Sequence, residues 1–148
     1  MTQSATPGIP WRSYSRPGFQ SCKTTRPVFY SGRWPRDALV QATLDPSIRL
    51  ITPAYLPEAP EDAELALDVT RGATRELHAY CRNSHGPLSA PEGYDCAVAI
   101  PRFKVMQPSV LLVARMIWKM RSYPVDAETA LTIRRLLLAN AGNCQKQP

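Results

Sequence analysis

The sequence has no long apolar run, and this absence excludes a membrane-spanning helix. Its most apolar stretch, from Val105 to Met120, is interrupted by proline and charged residues and falls short of the roughly 20 apolar residues that a bilayer requires. Prolines and arginines also break up the N-terminal residues, so a signal-peptide core is not visible. We therefore expect neither membrane insertion nor secretion.

The chain also has few cysteines, and they are widely separated. The four are Cys22, Cys81, Cys96 and Cys144, with no Cys-x-x-Cys spacing among them. Small disulfide scaffolds and zinc modules need denser or more regular cysteines. We therefore expect free thiols and a cytoplasmic location.

Several catalytic and cofactor motifs are missing as well. The chain has neither a Gly-x-x-x-x-Gly-Lys-Ser/Thr loop nor a Gly-x-Gly-x-x-Gly turn, which cradle phosphates in nucleotide-binding proteins. It also has no Gly-x-Ser-x-Gly elbow to expose a nucleophilic serine. The sequence therefore predicts neither a nucleotide cofactor nor serine-based hydrolysis.

What the sequence does have is an excess of positive charge. Its 148 residues, enough for one domain, carry 18 Lys and Arg against 12 Asp and Glu, a net charge of +6. Residues 1–33 hold five basic residues and no acidic ones, which predicts a basic, mostly irregular arm before a domain at 34–142 and a tail at 143–148. The aromatic residues of the arm could stack on nucleic-acid bases or dock on the domain.

The pattern of apolar residues within 34–142 predicts a mixed α/β domain. A helix begins near Pro35, an extended segment follows at 48–55, and two alternating segments joined by a turn at 71–74 form a hairpin. A short apolar strand at 96–100 precedes two helices. This order predicts a single small domain with a mixed sheet flanked by helices.

The two final helices carry the basic residues that we select as candidate nucleic-acid contacts. On the first, an apolar face is predicted, and Arg115 and Lys119 are one turn apart on another face. The residues of the apolar face are Val110, Val113, Ala114, Ile117 and Met120. Arg134 and Arg135 add charge on the second helix. These four cations could bind DNA phosphates, or they could simply keep the helices solvated.

Three short segments together resemble TnsA-like endonuclease subunits of heteromeric transposases. They are Arg36-Asp37-Ala38-Leu39 with Leu44-Asp45-Pro46-Ser47-Ile48-Arg49, the predicted hairpin, and Gln107-Pro108 with Ala114-Arg115-Met116-Ile117-Trp118-Lys119-Met120-Arg121. The resemblance implies a restriction-endonuclease-like fold over about residues 30–140 and a Mg²⁺ site for DNA cleavage. In the family a helix Glu, a second-strand Asp and a third-strand Glu-x-Lys build that site, since clustered carboxylates hold Mg²⁺.

This sequence departs from the family pattern at every one of those positions. Aligned by eye, the helix Glu corresponds to Ser31, the strand Asp to Ala66, and the Glu-x-Lys to Ala79 and Cys81. A site without carboxylates has nothing to offset dehydration of a hard dication. The resemblance therefore implies a catalytically degenerate protein of a mobile element, which binds DNA or a transposase partner without cleaving and needs no cofactor.

Three alternatives remain open. A shifted register could bring Asp68, Glu76 and His78 to one face as an active Mg²⁺-dependent nuclease. His78, Cys81, His85 and Cys96 could be drawn as a zinc site, although the spacing of three between His78 and Cys81 sends them to opposite faces of a strand. The third alternative is a protein-interaction module that docks through its terminal helices and has no role with nucleic acid.

Overall fold

The computed structural model describes residues 18–143. For residues 137 and 140–143 it describes the backbone only. Along the chain the elements are α1 (Arg33–Leu44), β1 (Ile48–Pro53), β2 (Ala63–Arg71), β3 (Thr74–Cys81), β4 (Cys96–Pro101), α2 (Arg102–Val105), α3 (Pro108–Met120) and α4 (Ala127–Asn143). Two compact units divide between Trp118 and Lys119. The first is a small α/β domain whose four-stranded mixed sheet is flanked by helices, as the sequence predicts.

The sheet has the order β1-β2-β3-β4, with β1, β2 and β3 antiparallel and β4 parallel to β3. Pro53 ends β1, an edge strand, where its missing N–H costs no ladder bond. The connection from β3 to β4 spans residues 82–95 and contains no helix, although crossovers between parallel strands usually do.

A tight turn fixes the hairpin of β2 and β3. Arg71 pairs with Thr74, so Gly72 and Ala73 alone form the turn. Gly72 has φ 58°, the positive value that a two-residue hairpin turn needs at its first central position and that glycine adopts without strain. A register irregularity between Ala63 and Leu65 marks the other end of the hairpin.

The two faces of the sheet are covered differently. On the helix face, Leu65, Leu67 and Val69 of β2 pack with α1, and the same cluster includes Val105 and Ala114. On the loop face, Leu77, Ala79 and Cys81 of β3 pack with Leu56, partly buried Leu88 and partly buried Tyr94. Helices therefore cover one side of the sheet and irregular segments the other.

Residues 18–32 pack on this domain although they form only isolated bridges. Phe19 and Val28 exchange two backbone hydrogen bonds of 2.8 and 2.9 Å and both are buried. The Phe19 ring also stacks on Trp118 with 5.1 Å between centroids. This aromatic residue of the basic arm therefore docks on the domain, whereas residues 1–17 of the arm lie outside the described part of the chain.

The buried side of α3 agrees with the prediction only in part. Ala114 of the predicted face is buried, but Val110, Val113 and Ile117 are exposed, and the other buried side chain of α3 is Leu111. The cause lies outside the helix, because the domain packs against positions 111, 114 and 118. Asp126 precedes α4 and caps it by accepting the Thr129 N–H at 2.8 Å. Within residues 18–143 no helix combines the length and apolarity that crossing a bilayer would take.

We expect Leu67→Ala to lower the free energy of unfolding by about 3 kcal/mol, because truncating a buried leucine removes apolar contacts and leaves a cavity. Leu67 is 0% exposed at the centre of β2. Leu50→Ala is the matched control, since Leu50 lies on the same sheet but is 43% exposed. Urea denaturation measures both variants. Equal losses would contradict the placement of the core.

Candidate functional site

A chain of charged side chains links the end of α1 to the hairpin on the helix face. Arg71 donates to the Asp45 carboxylate at 3.1 Å and to the Glu76 carboxylate at 3.3 Å. It also donates to the Ser47 hydroxyl, and Asp45 accepts the Ser47 N–H at 2.9 Å. Asp45 is the C-cap residue of α1, so this network fixes the helix end against β2 and β3.

Glu76 and His78 form the inner end of this network. The Glu76 Oε2 lies 2.8 Å from His78 Nε2, and His78 is buried. Its other ring nitrogen, Nδ1, is buried without a hydrogen-bond partner among the described residues. Burial alone would raise the pKa of Glu76, but the His78 hydrogen bond and the Arg71 charge outweigh it and lower that pKa.

The carboxylate–imidazole pair has the chemical groups of a general base, but it lacks the third member of the proposed nuclease site. Asp68 pairs with Leu77 and Glu76 pairs with Val69, so Asp68 and Glu76 point to opposite faces of the sheet. On the loop face Asp68 forms an ion pair with Arg75, with 2.6 Å between Oδ2 and Nη2. The expectation that Asp68 faces Glu76 and His78 was wrong, because the hairpin register is offset by one residue from the one it requires.

The positions matched to the TnsA-like pattern come together on the two strands but not at the helix. Ala66 pairs directly with Ala79, and Cys81 follows on the same face. Ser31 precedes α1, which packs on the opposite face of the sheet. Two methyl groups and a thiol provide no oxygen ligand, so these positions do not fit Mg²⁺.

The four residues of the proposed zinc set are also divided between the faces. Cys96 pairs with Glu76 and therefore shares the helix face with His78, whereas Cys81 lies on the loop face. Cys81 and His85 are close together, but their third neighbour is Asp62. Sequence reasoning missed Asp62 because it lies in a Pro-rich loop, far from Cys81 along the chain, where no motif marks it.

The cysteines in the described residues, Cys22, Cys81 and Cys96, are free thiols as predicted.

The four candidate DNA-contacting cations have different surroundings. Arg115 donates twice to Asp37, with distances of 2.9 and 2.7 Å, and the Asp37 side chain is 3% exposed. This bidentate pair joins α3 to α1. Lys119, Arg134 and Arg135 are exposed, and within the described residues no carboxylate pairs with them.

Comparisons with protein-family models, with curated proteins and with solved structures gave no match.

We expect Arg115→Ala to lower the thermal unfolding midpoint clearly, because Asp37 would remain buried without its partner. Lys119→Ala removes the same charge one turn further along α3 and should leave the midpoint nearly unchanged. The double variant Asp37→Ala/Arg115→Ala should recover part of the loss, because no buried carboxylate is then left unpaired. Thermal unfolding followed by circular dichroism tests this. A midpoint that responds equally to both single changes would contradict a structural role for Arg115.

We expect stability to fall as the pH drops below about 4.5, the ordinary pKa of a glutamic acid. Because folding lowers the pKa of Glu76, its contribution is present above that value and is lost as pH falls through the lower folded-state pKa. Glu76→Gln should therefore weaken the decline in unfolding midpoint between about pH 5 and 3. Glu58→Gln, at an exposed position, should not. An unchanged acid profile in Glu76→Gln would show that the Arg71 network does not stabilise the folded state.

Proposed function

We propose that this chain is a catalytically degenerate, TnsA-like protein of a mobile element, with a restriction-endonuclease-like domain that binds the DNA backbone or a transposase partner without cutting. One observation carries the proposal. The hairpin register pairs Ala66 with Ala79, the two strand positions where the resemblance expects carboxylates. Cross-strand neighbours on one face of the sheet are what the resemblance requires of these two positions.

The order of elements supports the same proposal. A helix precedes the four strands, and the matched positions lie on the second and third strand of the chain, as the resemblance implies. The chemistry explains the missing activity, because Mg²⁺ needs oxygen ligands to replace its hydration shell. The match fails at Ser31, so it rests on the two strands.

The cations available for DNA are those that the fold leaves unpaired. Arg71, Arg75 and Arg115 form ion pairs within the domain. Arg134 and Arg135 are adjacent on α4, both exposed, and no carboxylate within residues 18–143 pairs with them. We assign the phosphate contacts to these two residues and to Lys119. We exclude Arg115 because its guanidinium forms an ion pair with Asp37.

A role in docking another protein is the second candidate, and one observation favours it. Val110, Leu112, Val113, Met116 and Ile117 of α3 are between 45% and 63% exposed. Apolar side chains grouped on one helix are typical of surfaces that bind a partner. A transposase subunit would be such a partner in the mobile-element setting.

We expect the purified full chain to bind a labelled DNA duplex with an affinity that falls steeply with salt, and not to nick it with Mg²⁺ or Mn²⁺. Each phosphate contact contributes about 0.9 to the slope of log affinity against log salt concentration. Arg134→Ala/Arg135→Ala should therefore lower the magnitude of that slope by about 2 and weaken binding to all sequences alike. Fluorescence anisotropy at several salt concentrations gives both quantities.

The control for this experiment is Arg49→Ala/Arg102→Ala, which removes two exposed charges from the first unit. An equal loss in both double variants would contradict the assignment to α4. Metal-dependent nicking would contradict the degenerate site itself. Absence of any salt-dependent affinity would reject the DNA role and support the docking candidate.

A further inference from the structure

Three side chains of different metal-ligating chemistry meet where β3 ends. They are Asp62, just before β2, Cys81, the last residue of β3, and His85 in the following loop. Their ligand atoms all lie within 4.8 Å of one another. The thiol is buried, while the carboxylate and the imidazole are partly exposed to solvent. An ion could therefore reach the cluster from the loop side.

The backbone fixes this cluster in place. The Asn83 N–H donates to Asp62 Oδ2 at 2.8 Å, and the Arg82 N–H donates to the Asp62 carbonyl at 3.2 Å. These bonds hold the 82–85 segment against residue 62 through the protein alone. Donors that are already placed lose little conformational entropy when a ligand binds.

The three side chains offer different donor atoms, and few other contacts within the described residues compete for them. His85 Nε2 and Asp62 Oδ1 are 2.6 Å apart and share one proton in a hydrogen bond. The only hydrogen bond of the Cys81 thiol among the described residues is a weak one to the Ala79 carbonyl of its own strand, at 3.7 Å. Burial, aided by the Asp62 charge, raises the pKa of Cys81 to about 11. A bound cation would displace the proton of this thiol, because cysteine binds metals as the thiolate.

We propose that Asp62, Cys81 and His85 bind a divalent transition-metal ion, Zn²⁺ in the cell, through three protein ligands with a fourth position left to solvent. A mixed sulfur, nitrogen and oxygen set suits Zn²⁺. Mg²⁺ and Ca²⁺ are excluded because they select oxygen ligands alone. The proposal involves neither α4 nor the resemblance, so it is independent of the DNA-binding role.

The geometry needs only side-chain adjustments. Metal–ligand bonds of about 2.0–2.3 Å in a tetrahedron separate neighbouring ligand atoms by about 3.3–3.6 Å. Asp62 and His85 would move apart by about 0.7 Å from their present 2.6 Å contact. The Cys81 sulfur, which now lies within 4.8 Å of the other two ligand atoms, would move closer to both. Rotation about the χ angles of Asp62 and His85 can supply these shifts.

Titration of the reduced full chain with Co²⁺, which takes zinc positions and absorbs visible light, tests the proposal. We expect one equivalent to bind with a thiolate-to-cobalt charge-transfer band, and Zn²⁺ to displace it. Cys81→Ser should abolish the band. Cys22→Ser and Cys96→Ser, which remove thiols outside the cluster, should retain it. A band that persists in Cys81→Ser, or no band in the unaltered protein, would overturn the proposal.

His85→Ala provides a test that does not depend on altering a buried residue. Removing one of three ligands should weaken Co²⁺ and Zn²⁺ binding by about 100-fold or more, since loss of an outer partner alone costs 10–100-fold. The unfolding midpoint without metal should change little, because the His85 contact with Asp62 is exposed. Ser84→Ala is the control in the same loop. Unchanged affinity in His85→Ala would exclude this site even if the chain binds metal elsewhere.

The pH dependence gives a further readout of the same binding. Because a thiol binds Zn²⁺ as the thiolate, binding should release a proton and apparent affinity should rise with pH. Isothermal calorimetry in buffers of different ionisation enthalpy measures the released proton directly. Binding that releases no proton would show that the thiol is not a ligand.

Discussion

The register of β2 against β3 decides what every other part of this domain can do. Side chains alternate along a strand, so a slip of one residue would exchange the two faces of the hairpin completely. The observed pairing places Leu67 and Val69 under α1 and leaves Ala66 and Ala79 together on the loop face. The two-residue turn at Gly72 sets this pairing at one end. The apolar core and the candidate sites are therefore consequences of one constraint.

Local patterns in the sequence identify most of the elements of this fold. The alternation in β2 and β3, the glycine in their turn, and the proline that ends β1 each act over a few residues, and each element forms where those signals lie. The buried side of α3 could be predicted in this way only in part. Apolar residues occur on several sides of that helix, and only the position of the domain selects Leu111 over Val110 and Val113. The partner of Arg115 was hidden for the same reason, since Asp37 is 78 residues away along the chain.

The candidate sites depend on how β2 and β3 pair, which brings together residues that are distant along the chain. Asp68 and Glu76 are eight positions apart around a hairpin, and a one-residue difference in the register determines whether they share a face. Asp62 reaches the neighbourhood of Cys81 because the register shifts between Ala63 and Leu65. Such irregularities redirect side chains at the ends of strands, but short sequence patterns do not encode them reliably. The residues of the sites were visible in the sequence, whereas their grouping was a property of the sheet.

The uneven covering of the sheet connects the metal proposal to the fold. On the loop face no helix protects Leu77, Ala79 and Cys81, which depend on residues 82–95 and on Leu56 for burial. Segments of irregular structure with few backbone ladders open more easily than helices. An ion held by Asp62, Cys81 and His85 would link the residue before β2 to the first part of the 82–95 connection. It would thereby stabilise the irregular segment that covers the loop face. Cys81 is also the residue that stands where the resemblance expects a lysine. Under the two proposals, this position would supply a metal ligand that stabilises the loop face and not a lysine for DNA cleavage.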